Sequence, residues 1–309
     1  MLFKKYPKQT AIFILLSIIY LTQTVLVAPD KAALAKYHLS SGQAKLIGLT
    51  FALPYLAIWF IALLSYLRLN TYADLIKKSK DGLGFSILAS GVMWLAFCLP
   101  LSVVFTNFTT HTYMVHPDLI SPMVRVANYF NLLVIAPGFI LIYQGSSKLV
   151  ALAKTRRRTP NTPLVLAYIA FAALYTFSVL HDPVRLLPNK NTIAASYYQT
   201  DWLIISTLVI PRLILWFLGL MAIENLYLFR MNIKGSLYKI AIHWFAVGIG
   251  GVAASSIILR GLQSFTPQLS RLSLGLVLML LYAILLILGT SYWTLSKGAK
   301  KLLFIEKLQ

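Results

Sequence analysis

The feature that most constrains this chain is a succession of apolar runs, each long enough to cross a bilayer and joined by connections too short to fold alone. A hydrocarbon core of about 30 Å takes roughly 20 helical residues at 1.5 Å each. Eight such runs fall at residues 10 to 28, 46 to 67, 84 to 105, 123 to 144, 163 to 181, 202 to 223, 238 to 259 and 272 to 294. With 59% hydrophobic residues overall, the expected fold class is all-α. It is a polytopic membrane protein of eight transmembrane helices, its only solvent the lipid bilayer and the water at its faces.

The net charge of +20 would suit a nucleic-acid binder, but its distribution argues for topology. Placing the N-terminus in the cytoplasm puts nineteen of the 28 basic residues on the inner side. They cluster around Lys4 to Lys8, Arg68 to Lys80, Lys148 to Arg158, Arg230 to Lys239 and Lys297 to Lys307. The outer connection from Thr106 to Pro122 holds no Lys or Arg. This is the positive-inside bias, so both termini are expected in the cytoplasm and the membrane is expected to be a plasma membrane. The Lys154 to Arg158 cluster also suits anionic lipid head groups on the cytoplasmic side. No nucleic-acid partner is expected, because the chain lacks a soluble basic surface with interleaved aromatics. Ala33-Leu34-Ala35 resembles a signal cleavage site, but the preceding apolar run of about 19 residues exceeds a usual signal-peptide core. The first span is expected to be retained.

A second constraint is internal repetition. Residues Thr50 to Leu63 align without a gap on Thr207 to Leu220, matching at Thr50 with Thr207, Pro54 with Pro211, Leu56 with Leu213, Trp59 with Trp216, Phe60 with Phe217 and Leu63 with Leu220. Apolar matches are cheap in membrane helices, whereas proline and tryptophan matches are not. Further on, Gly82, Phe85 and Ile87 align with Gly235, Tyr238 and Ile240, and Tyr143, Ser147 and Lys148 with Tyr292, Ser296 and Lys297. The expected domains are tandem four-helix transmembrane repeats over 1–158 and 159–309. Four being even, they keep one orientation, so the repeat is parallel. Leu295 to Leu308 mixes apolar and lysine residues and is expected as a short C-terminal interfacial helix.

The two prolines define the candidate site. A proline inside a helix frees the carbonyl four residues back, which makes Thr50, Pro54, Thr207 and Pro211 a helix-bend scaffold. Paired interruptions at matching places in two halves point to a midplane solute site. The residue after each proline differs: Tyr55 in the first half, Arg212 in the second. An intramembrane arginine must face protein or water, and the nearest carboxylates on its own run, Asp201 and Glu224, lie roughly 16 to 18 Å away along a helix. A planar guanidinium is a natural partner for an anionic group. Asn128, Asn131, Tyr20 and Gln23 are further candidates, lining a path from neighbouring spans.

The expected function is a permease-like protein moving a small anionic or polar solute between spans two and six. The alternative is a membrane sensor or a structural subunit, docked on a membrane-protein partner. No hydrolase, metalloprotease or P-loop signature and no intramembrane acidic pair occurs, so the chain leans away from an enzyme, and no catalytic residue, cofactor or metal is expected. The loop residues His38, His111, His116, His181, Asp118 and Asp182 lack metal-ligand spacing. The single cysteine, Cys98, excludes an intrachain disulfide. The charge bias makes the topology testable. A reporter joined after Lys80 or Arg158 should be active only if cytoplasmic, and one joined after Asp118 only if exported; the reverse pattern would overturn the orientation.

Overall fold

The computed structural model describes residues 2–26, 38–115, 120–152, 209–264 and 274–308, with scattered positions between 165 and 176; side chains over most of 109–131 and 254–281 lie outside it. It contains α1 (Leu2–Lys5), α2 (Pro7–Leu26), α3 (Ser41–Leu75), α4 (Gly82–Val115), α5 (Ile120–Leu152), α6 (Ile210–Asn232), α7 (Ser236–Ser264) and α8 (Leu274–Leu308). Among the described residues there is no strand. Among the described residues six segments are long and apolar enough to cross a membrane: Pro7–Leu26, Ser41–Leu75, Gly82–Phe105, Leu132–Ala151, Ile210–Asn232 and Ser236–Ala253. The chain is a helical membrane protein. Large apolar side chains such as Ile14, Leu15, Leu53, Leu133, Ile214 and Leu286 are exposed on the helix surfaces, which suits lipid and not water. Most of the expected fifth span, and the sixth before Val209, lie outside the described residues.

Several helices outrun the apolar stretches that announce them. α3 runs to Leu75 and α4 from Gly82 to Val115, because backbone hydrogen bonding continues wherever polar residues still permit a helix. At the N-terminus of α3, Ser40 and Gln43 form a capping box, satisfying two otherwise unpaired amides. The segment from Leu295 onward is not a separate element: α8 continues unbroken to Leu308. Ala299 and Leu302 are fully buried there, so the last turns pack on protein.

The helices close on themselves in chain order. α3 packs on α4, α4 on α5, α5 on α6, α6 on α7, α7 on α8, and α8 returns to α3; α2 lies outside this ring against α3 and α4. Inside a bilayer no hydrophobic force holds helices together, so contact comes from small residues and hydrogen bonds. A Cβ built on Gly145 of α5 would lie 2.8 Å from the Leu88 nitrogen and 2.9 Å from the Gly84 oxygen. One built on Gly248 of α7 would lie 2.5 Å from the Leu295 nitrogen on α8. Each glycine lets two backbones touch where any side chain would separate them.

Hydrogen bonds brace the remaining seams. Ser65 donates to the Tyr292 carbonyl at 3.2 Å, and Arg68 donates from Nη1 to Ser296 Oγ at 2.6 Å, tying α3 to α8. Asn225 Nδ2 donates to Ser146 Oγ at 3.3 Å, tying α6 to α5. Pro54 lies inside α3, and the Thr50 carbonyl that it frees accepts the Tyr282 hydroxyl of α8 at 3.2 Å. Phe51 stacks on the Tyr282 ring with centroids 4.6 Å apart. Pro211 lies near the start of the described part of α6, two residues after Val209, whose own backbone is helical. Thr207 lies outside the described residues.

The glycine contacts yield a stability test. Gly145→Val should destabilise purified protein by about 1–3 kcal/mol through forced separation of α4 and α5, read as a lower melting temperature. Gly275→Ala, where nothing lies within 4 Å, should leave melting unchanged or raise it slightly. Equal melting for both variants would show that the close contact does not hold the ring.

Candidate functional site

All six helices of the ring line a cavity of about 230 Å³. Its walls include Tyr55 from α3, Leu95, Cys98, Leu99, Ser102 and Val103 from α4, and Leu132, Ile135 and Phe139 from α5. They continue with Arg212, Leu215 and Trp216 from α6, Val252 from α7, and Ile284, Leu288 and Tyr292 from α8. Tyr55 and Arg212, singled out as the unlike residues beside matching prolines, therefore face one space. Arg212 is partly buried and is also engaged by the protein.

Their depth follows from a landmark at the other end of the ring. The Tyr72 and Phe85 rings meet edge-on with centroids 5.0 Å apart, and the Phe85 and Phe229 rings at 6.1 Å. Tyr72 Oη donates to Tyr238 Oη at 3.4 Å, and Tyr238 Oη donates to Glu306 Oε2 at 2.9 Å. Tyr72, Phe85 and Phe229 are all buried, so this end is sealed by aromatic rings on the side of the α3–α4 and α6–α7 turns. Asp81, in the first of those turns, has its carboxyl pushed up by burial. Tyr55 precedes Tyr72, and Arg212 precedes Phe229, by 17 residues each, about 26 Å of helix. The two side chains thus lie at one depth. Leu95 is only ten residues past Phe85, about 15 Å. The cavity therefore runs some 10 Å along the ring axis, from an Arg212 end to a Leu95 end.

Other sequence candidates are placed elsewhere. Tyr20 is buried with its ring 4.9 Å from that of Trp59, and Gln23 donates from Nε2 to the Val104 carbonyl at 3.3 Å. Neither is among the residues lining the cavity; both fasten α2 to the ring. Gln23 Oε1 and the Trp59 indole nitrogen are buried without a partner among the described residues. The backbones of Asn128 and Asn131 belong to α5, while their side chains lie outside the described residues. Thr50 and Pro54 brace α3 against α8, away from the cavity lining. Of the loop histidines and aspartates, His116, Asp118, His181 and Asp182 lie outside the description, and no cluster of metal-ligating side chains occurs among the described residues.

Among the lining residues that sequence reading did not name as site residues, four carry a side-chain heteroatom: Cys98, Ser102, Trp216 and Tyr292. Trp216 stands one turn after Arg212, so the 3.6-residue period alone puts it on the same face. Tyr292 carried a signal as the repeat mate of Tyr143. Nothing local marks Cys98 or Ser102, which reach the cavity through the packing of α4.

A membrane helix bundle with a largely apolar cavity lined in part by an arginine is as far as the geometry defines the class. Comparison with protein-family models, curated proteins and solved structures finds no match to this chain.

The sealed end can be probed through the single cysteine. In reconstituted wild-type protein, Cys98 should resist a membrane-impermeant thiol reagent added on the side of the aromatic cluster. Truncating Phe85 and Phe229 to alanine should make it reactive from that side. Wild-type labelling at the same rate from that side would show that the rings do not close the path.

Proposed function

We propose that this protein is a permease-like membrane protein that moves a small anionic or polar solute through the ring between the second and sixth expected spans, α3 and α6. The observation that carries this reading is the shared cavity of Tyr55 and Arg212, unlike side chains at one depth. A phenol and a guanidinium lining one cavity offer several donors to an acceptor-rich solute. Low local dielectric strengthens each such bond.

The reading includes two parallel four-helix repeats with eight spans and cytoplasmic termini. It is supported by the order of contacts, since α3, α4 and α5 follow one another around the ring as α6, α7 and α8 do. It is supported too by the seams, where Arg68 with Ser296 and Asn225 with Ser146 join the halves. Arg68 and Asn225 occupy equivalent places in the aligned α3 and α6 segments. At the sealed end Tyr72 and Phe85 of one half meet Phe229 and Tyr238 of the other, with tyrosine and phenylalanine exchanged. Rocking of the two halves about their seams would part these rings and expose the cavity to the opposite side. The basic residues near the helix ends favour anionic lipids there and hold the orientation.

Uptake into proteoliposomes tests the reading. Vesicles carrying wild-type protein should accumulate labelled small anions faster than empty vesicles, and Arg212→Gln should lower the initial rate about tenfold or more. Equal rates in loaded and empty vesicles across such solutes would reject transport and favour the sensor or subunit reading.

A further inference from the structure

We propose that the outer face of the α7–α8 seam carries a binding site for one anionic phospholipid, built on Lys297, Trp244 and Trp293. The site gives a place to the anionic-lipid preference stated above, and it needs neither the cavity nor transport. The Lys297 ammonium lies 4.1 Å from the centroid of the Trp244 ring on α7 and 5.0 Å from that of the Trp293 ring on its own helix. Two indoles therefore hold the side chain in one place across the seam. No carboxylate matches its charge among the described residues, where the one ion pair joins Lys5 to Asp74. Indole faces attract a cation but carry no net charge, so the site keeps a full positive charge for an anion to meet.

The setting indicates which anion. Lys297 stands three residues past the apolar run at 272 to 294. Leu286, Trp293 and Lys300 are all exposed and follow one another seven residues apart, which keeps them on one face of α8. Ile240 and Val247, also exposed and seven apart, do the same on α7. Along this surface leucine gives way to indole and then to ammonium within about 21 Å of helix. Tryptophan at head-group depth with lysine beyond it is what a bilayer interface selects. An amphiphile with its anionic group at Lys297 and its hydrocarbon along Val247 and Leu286 matches the whole gradient. A free phosphate matches only the lysine.

The head group is narrowed further by what Lys297 already fills. Paired aromatic faces otherwise suit a quaternary ammonium such as choline. Here the protein's own ammonium lies over both rings, and a choline head would set a second cation beside it. A head group of net negative charge, such as phosphoglycerol, brings the phosphate without that repulsion.

Quenching of tryptophan emission by lipids brominated on the acyl chain provides the test, on the whole protein in phosphatidylcholine vesicles. Titration with brominated phosphatidylglycerol should quench the wild type at about fivefold lower lipid fraction than titration with brominated phosphatidylcholine. Of the six tryptophans, Trp293 should carry much of the difference, so Trp293→Phe should shrink it. Lys297→Gln should abolish the fivefold preference, whereas Lys8→Gln, on α2, should retain it. Glycerophosphate in the buffer should leave the quenching unchanged. Equal quenching of the wild type by the two lipids would overturn the site without recourse to a variant. A preference that persists in Lys297→Gln would overturn it too, leaving only a general attraction of the basic helix ends for anionic lipid. Displacement by glycerophosphate would make this a site for a soluble anion and overturn the lipid assignment. Absence of Trp293 quenching by either lipid would mean that protein, such as a second copy of the chain, covers this face, and would overturn the site as well. Solute uptake enters none of these outcomes, so the site and the permease reading stand or fall separately.

Discussion

Backbone contact at glycine is the interaction on which the rest of this molecule depends. Lipid tails are as apolar as leucine, so helices gain little by burying leucine against one another. Gly145 against Leu88 and Gly84, and Gly248 against Leu295, bring main chains within van der Waals range. At that separation dispersion contacts become dense, and weak forces sum to a stable pair. The α4–α5 and α7–α8 pairs are thereby rigid units. The joins between them, α3 to α8 and α5 to α6, carry hydrogen bonds such as Arg68 to Ser296 and Asn225 to Ser146. Tight pairs joined by these polar bonds and by one continuous core of buried side chains form the ring.

Polar groups in such a ring are few, and their positions are instructive. The carbonyl freed by Pro54 is met by Tyr282, so the proline costs no unsatisfied acceptor and this hydrogen bond braces α3 on α8. Tyr20, Thr24 and Gln23 on α2 are spent on helix contacts. Arg212 differs because it borders a cavity whose other described lining is largely apolar. The charge and the space occur together, with a phenol at the same depth, and that conjunction supports a solute site where an arginine alone would not.

Much of this was legible in the chain itself. Apolar runs longer than a bilayer is thick dictate membrane helices, since only a helix satisfies its own backbone there. The proline and tryptophan matches singled out Tyr55 and Arg212 as opposed residues, and both border the cavity. Tyr20 and Gln23, expected along a path, contact neighbouring helices and not the cavity lining: a polar stripe on a membrane helix shows that it faces protein, and the stripe reads alike whether its neighbour is a helix or a cavity. The C-terminal lysines likewise suggested a separate surface helix, yet alternating lysine and leucine also suits a helix end that packs by one face, as Ala299 and Leu302 do.

The sequence by itself determined that this is a helical membrane protein, where most of its helices lie, and that an arginine must be sheltered among them. Those conclusions follow from local quantities, hydropathy over about 20 residues and the cost of a buried charge. Only the tertiary structure decided that six helices close in chain order, that α2 stays outside, and that aromatic rings seal one end. It also decided that Cys98, Ser102 and Tyr292 share a cavity with Arg212. These depend on which helix faces meet, and that is set by where two backbones can touch, a property of pairs of helices that no single stretch of chain contains.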